Sequence, residues 1–361
     1  MALFRLVVML VVSLGMTLGM AAESDAPVGA ASAKVDGGKE PDQRALARER
    51  HLQAAREAML HSSDALALLL TAKYARTVDT KPDETRSTEE QNERQIAVLT
   101  RALEGVENNE RKRSLVEFQV ALFCMGLSES SLCKGDDRVL KFAESHRDNV
   151  VGWVMVAGRE FAQGRNPSAQ IYLAKAAKAK SVDWYYRDAA KAAFEYAKAA
   201  APKDVPVGDV EVVAFTLLEE LTLPAYQRFS QMCNPDPEGK LPEGRYAACK
   251  KVAQMLQEKA ETNIEVMVGY RAAQRLAEGE KKAVVAEQAG NTFKAWQAAT
   301  SYLWGSALSY PPKTEKDAQG LSDYFAALVA KGEKQATLAA LKRAGKTIED
   351  FKPTSAANPK K

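Results

Sequence analysis

Residues 148–179 read DNVVGWVMVAGREFAQGRNPSAQIYLAKAAKA. Trp153, Ala157, Gly158 and Phe161 fall at helical spacing, Gly164 marks a turn, and Ala169, Leu173 and Ala177 mark a second helical run. Small residues let two helices approach closely, and large ones fill the gap between them. The stretch is a helical hairpin, and its neighbours decide whether the chain is built of such hairpins.

Almost everything around it has the same helical period. Toward the N-terminus, helices are expected over 42–76, at about 110–127 and at 136–146. Ser62, Ser63 and Asp64 interrupt the first of these and cap a second helix, DALALLLTAKYA. Ser87 and Gln91 suggest a capping box at the start of a further one. Toward the C-terminus, helices are expected at 149–163, 167–179, 183–200 and 208–233, the last kinked at Pro224. More are expected at 242–260, 262–288, 290–308, 316–331 and 333–344. The segment VPVGDVEVVAF alternates as a strand would, but it merges into an apolar helical pattern. The fold class read here is all-α.

With these residues the hairpin at 148–179 resembles a tetratricopeptide repeat. One step earlier, Phe118 stands thirty-five residues before Trp153. One step later, YYRDAAKAAFEYAKA continues the pattern, and Pro202 resembles the closing proline of such a repeat. The resemblance covers about residues 110–202. It departs from the family in a turn about one residue short and in a final proline position that is not clearly filled within 148–179. It implies helical hairpins stacked as a tetratricopeptide-like solenoid, and it leaves room for a helical bundle in the C-terminal half. An irregular helical bundle throughout is the alternative architecture.

The N-terminus MALFRLVVMLVVSLGMTLGMAAESDA has a cation at Arg5, an apolar run from Leu6 to about Met20 and small residues at Gly19, Ala21 and Ala22. That is the plan of a secretory signal peptide over 1–21. The run is short for a spanning helix, which wants roughly 20 apolar residues. The expected organisation is a signal peptide at 1–21, a polar linker at 22–41, repeats at 42–202, a further helical region at 203–352 and a polar tail at 353–361. The style of the signal peptide and the alanine-rich helices point to the periplasm of a Gram-negative bacterium. The chain of 361 residues is 46% hydrophobic and 27% charged, with a formal net charge of +3. So balanced a charge gives no electrostatic support for nucleic-acid binding.

An exported chain meets an oxidising compartment. Cys124, Cys133, Cys233 and Cys249 allow three pairings. Cys124 and Cys133 flank the turn in CMGLSESSLC, and Cys233 and Cys249 flank the proline-rich loop NPDPEGKLPEG. The two local pairs, Cys124–Cys133 and Cys233–Cys249, are therefore expected as disulfides. Neither close C-x₂₋₄-C spacing nor C-x-x-C occurs, so zinc and redox readings lack support.

Candidate chemistry is sparse. The run HSSD, His61–Asp64, holds triad residue types, but consecutive residues diverge and helix capping explains them. Asn234–Gly239 has the oxygen spacing of half a calcium loop, yet Arg245 stands where a bidentate Glu belongs. No phosphate-cradling glycine loop and no nucleophile elbow occurs. No metal and no cofactor is implied. The most suggestive surface is DWYYRDAAKAAFEYAKA, because Trp184, Tyr185 and Tyr186 on one helix would fan over about 200°, too wide for one buried stripe. Cations gather nearby. The candidate ligand groove comprises Trp153, Tyr172, Lys175, Trp184, Tyr186, Arg187 and Lys191. A second aromatic group, Phe293, Trp296, Tyr302 and Trp304, is expected to pack the C-terminal helices.

The functional expectation is an exported helical-repeat scaffold that binds a protein or peptide, without catalysis, nucleic acid or stable membrane insertion. The alternatives are an envelope hydrolase whose carboxylates are spread over several helices, and a structural or stress protein without a specific ligand.

Overall fold

In the computed structural model, the residues described are 42–78, 87–106, 109–126, 129–135, 137–224, 226–236, 238, 240–278 and 282–353. The expected signal peptide, the linker and the tail beyond Pro353 lie outside them. Fifteen α-helices succeed one another among the described residues. They are α1 (Gln43–Leu60), α2 (Ala65–Thr71), α3 (Thr88–Glu104), α4 (Glu110–Gly126), α5 (Arg138–Ser145), α6 (Val150–Ala162), α7 (Asn166–Lys178) and α8 (Tyr186–Ala199). After them come α9 (Asp209–Leu218), α10 (Tyr226–Met232), α11 (Glu243–Lys259), α12 (Asn263–Arg275), α13 (Lys282–Tyr302), α14 (Glu315–Lys331) and α15 (Glu333–Arg343). No strand occurs among the described residues, and VPVGDVEVVAF enters α9. The one β-like feature among them is an isolated bridge between Asn149 and Ser181.

The hairpin at 148–179 forms as α6 and α7. Asn149 caps α6, its side chain accepting from Val151 N at 3.1 Å. Gly164, at φ 74°, ends it in the left-handed region that a glycine enters without cost. Pro167 lies in the first turn of α7, where its missing N–H is no loss. Val156, Ala157, Ala169, Leu173 and Ala176 are wholly buried between the two helices and their neighbours. Burying each Val or Leu contributes about 1.5–3 kcal/mol.

Beyond the hairpin the packing differs from the expectation. α8 does not extend the stack as the next repeat: it packs against α2, α4, α9 and α14. The pair that stacks on the hairpin is α10 on α6 and α11 on α7. Gly158 makes this return possible, because a Cβ there would lie 2.9 Å from Cβ of Arg228 on α10. On another side of α6, a Cβ at Gly152 would lie 3.0 Å from Cα of Ala143 on α5. These contacts cross residue 202, and from Ala47 onward the helices belong to one unit.

Three further boundaries depart from the sequence reading. The helix expected over 208–233 is two helices, α9 and α10, rather than one kinked at Pro224. Proline disfavours helical backbone at Leu223, and Gln119 of α4 clasps the turn: its side chain donates to Thr222 O at 3.1 Å and accepts from Thr222 N at 2.9 Å. The break expected near residue 289 is absent, and α13 runs through Gly290. Gly290 serves contact instead, since a Cβ there would collide with the Gln274 side chain of α12. The real break comes after Arg275. The capping box of α3 uses Glu90, three residues after Ser87, and not Gln91.

Cys124–Cys133 and Cys233–Cys249 are at disulfide distance, with Cα atoms 5.4 Å and 5.7 Å apart. They join the end of α4 to the turn after it, and the end of α10 to α11. The second aromatic group packs as expected: Trp296 is buried, Trp304 meets Phe215, Tyr310 and Tyr324, and Tyr302 meets Phe351. Among the described residues no helix is long and apolar enough to cross a membrane.

Gly158→Val should overpack the α6–α10 crossing and cost about 1–3 kcal/mol, read as a fall in Tm of about 2–4 °C per kcal/mol. Gly320→Ala, with no neighbour of its Cβ closer than 3.9 Å, should move Tm the other way. Peptide mapping without reduction should give the two local cysteine pairs, and reduction should cost about 3 kcal/mol for each loop; crossed pairings would contradict the hairpin geometry.

Candidate functional site

The seven groove residues separate into two clusters and one outlier. In the first cluster, Trp153 is buried on α6, and its Nε1 donates to Arg147 O at 2.9 Å. Tyr172 of α7 stacks on it, with ring centroids 6.0 Å apart and planes 13° apart. One turn along α7, Lys175 places Nζ 4.6 Å from the Trp153 ring and 5.0 Å from the Tyr172 ring. The i, i+3 spacing puts Tyr172 and Lys175 on one helix face. Beside them Ile171 is 59% exposed, a large apolar side chain held in water on a rigid helix.

The second cluster gathers Trp184, Tyr186 and Arg187. The expected helical fan of three aromatics does not form, because α8 begins only at Tyr186. Asp183 accepts from Tyr185 N at 2.7 Å, and Tyr185 takes φ 64°, an uncommon conformation for a residue other than glycine. This turn buries Trp184 and Tyr185 and leaves Tyr186 half-buried, stacked on Trp184 at 4.9 Å. Burial holds the Tyr186 hydroxyl pKa above its ordinary value, and the charges of Glu333 and Glu219 add to that. Arg187 pairs with Glu261, Nε to Oε2 at 2.8 Å. Arg111 forks onto Asp188 at 2.7 Å and Asp183 at 3.1 Å. Lys191, the outlier, is exposed and stands 4.0 Å from Glu195.

One pair that the sequence reading missed is Ser114 with His146. Ser114 Oγ lies 2.7 Å from His146 Nε2, and His146 Nδ1 lies 3.0 Å from Phe142 O. The pair is a lock between α4 and the end of α5, not a nucleophile with its base. Ser114 is buried in mid-helix, it bonds the Glu110 carbonyl at 2.8 Å, and a backbone carbonyl stands where a triad has its carboxylate. The two members are 32 residues apart in the chain, too far for any local motif; only the fold brings them together. The HSSD run is a cap, with Asp64 accepting from Leu66 N at 2.8 Å.

Buried carboxylates are each held by a partner. Asp209 faces Arg48 at 3.4 Å, Glu160 faces Arg165 at 2.5 Å, and Glu211 accepts from Ser322. Glu265 is wholly buried; Tyr226 donates to its Oε1 at 2.5 Å and Thr262 to its Oε2 at 2.9 Å. Burial pushes its pKa up to about 7, against these two hydrogen bonds that favour the charged form. Among the described residues, no group of three or more His, Cys, Asp or Glu side chains is placed to hold a metal ion. No known protein family, no curated protein and no solved structure matches this chain.

Glu265 gives a pH prediction. Its folded pKa lies above its ordinary value of 4.5, so its contribution to stability is full below about pH 4.5 and is lost as pH rises through about 7. Glu265→Gln removes that loss. Denaturant unfolding from pH 5 to pH 8 should show wild type falling relative to the variant; parallel curves would contradict the assignment.

Proposed function

We propose that this chain is an exported, disulfide-bonded helical scaffold that binds a partner protein or peptide on the outer face of α7. The observation that carries this reading is the Trp153–Tyr172–Lys175 stack with exposed Ile171 beside it. An aromatic ring held flat by a buried Trp loses little freedom on binding, and Ile171 offers apolar contact area. Lys175 and, one turn on, Lys178 are exposed cations at the same end of the helix. The chemistry fits an acidic partner segment that carries an apolar side chain. The two disulfides suit a chain that folds in an oxidising compartment, and with the sequence of residues 1–21 they support a periplasmic location.

The test is crosslinked capture from an envelope fraction, with partners identified by mass spectrometry. A partner held by wild type should be lost about 10-fold or more in Ile171→Asp/Lys175→Glu, while the unfolding midpoint stays where it was. Equal capture by the two proteins would remove α7 as the contact surface.

A further inference from the structure

A cleft of about 510 Å³ opens between the loop after α10, the first turns of α11 and the junction of α12 with α13. None of the residues that line it lies on α6 or α7. Its size falls in the range of small-molecule sites. Leu241, Leu276 and Ala277 give it an apolar wall. Three cations, Lys240, Arg275 and Lys282, and two carboxylates, Glu243 and Glu278, also line it.

Arg275 is the informative member. Elsewhere in the molecule, several partly buried arginines face carboxylates, Arg48 with Asp209, Arg56 with Glu220, Arg159 with Asp137 and Arg187 with Glu261, and others meet a side-chain amide, Arg76 with Gln91 and Arg245 with Asn166. Arg275 is half-buried, and among the described residues its Nη1 donates only to Ser230 O at 3.4 Å. One turn back on the same helix stands Arg271, whose guanidinium lies over Phe293 and bonds Gln274. Two like charges at i, i+4 repel, and burial and Arg271 together lower the Arg275 pKa. A charge kept half out of water without a counter-ion is costly. The cost is offset when an anion enters the cleft and meets the guanidinium fork.

The wall opposite is fixed. The Cys233–Cys249 disulfide ties the proline-rich loop to α11. Within the loop, Asp236 accepts from Lys240 N at 2.7 Å, and Asp236 N donates to Lys240 O at 3.0 Å, which sets Lys240 at the rim. Tyr246 donates to Leu276 O at 2.8 Å and joins α11 to the end of α12.

We propose that this cleft binds a zwitterion with an apolar side chain, its carboxylate on Arg275 and its ammonium toward Glu243 and Glu278. Free amino acids and short peptides share that chemistry. The experiment is equilibrium dialysis of the oxidised protein against three mixtures: tripeptides with free termini, the same tripeptides as C-terminal amides, and free amino acids. Retained compounds are read by mass spectrometry. The expected result is retention of free-carboxylate tripeptides or of amino acids, which also decides between the two sources. The amides should be lost, and Arg275→Gln should reduce retention about 10-fold or more. Lys282→Gln, an exposed rim change, is the second variant and should weaken retention less. Thermal unfolding of each variant confirms that it is folded. No retention of any mixture by the folded protein, or equal retention of amides and acids, would overturn the proposal.

Discussion

The packing of this chain depends on how closely backbones can approach helix α6. Every residue from Val150 to Gly158 is buried, so α6 has neighbours all round, and two of them touch it where it has no side chain. Gly152 admits α5 and Gly158 admits α10. Close-packed interiors have no slack to absorb a methyl group at such crossings. The return of α10 onto α6 then sets α11 on α7, and α11 carries the wall of the cleft that Arg275 lines. The outer face of α7 stays in water because its inner face is taken by α6 and α11.

Polar groups reinforce this frame at points where helices end. Gln119 substitutes for a backbone partner at the turn before α10, accepting from and donating to Thr222. Ser114 and His146 join α4 to the end of α5, and Tyr226 ties α10 to Glu265 on α12. A buried polar group costs little only when it is paired, and each of these pairs ties one helix to another segment of the fold. The buried carboxylates are occupied in this way, whereas Arg275 and the Tyr172–Lys175 face direct chemistry outward.

Much of the fold was legible in the sequence, since helical period and turn residues are local signals. The hairpin at 148–179 was readable from Trp153, Gly164 and Leu173, and both cysteine pairs from the loops between them. The parts that were not legible required the third dimension. Gly290 looks like a stop in one dimension, yet it is a contact point for Gln274. Tyr185 looks like part of a helix, yet its left-handed backbone starts one. The stacking of α10 and α11 on the hairpin joins segments far apart in the chain, and no local pattern announces it. Tyr172 and Lys175 share a helix face by their i, i+3 spacing, but their meeting with Trp153, and their separation from Trp184, Tyr186, Arg187 and Lys191, came only with the fold. The cleft was not legible, because its lining comes from positions 235 to 282 and Arg275 is informative only through having no carboxylate partner among the described residues.

If α6 is the element on which the rest is assembled, its amides open only when the whole unit unfolds. Hydrogen–deuterium exchange of the oxidised protein, resolved by peptide, tests this directly. The account requires the slowest exchange in Val150–Ala162, with α10 and α11 close behind and the exposed start of α13 much faster. Exchange in α6 as fast as in that exposed turn would contradict it.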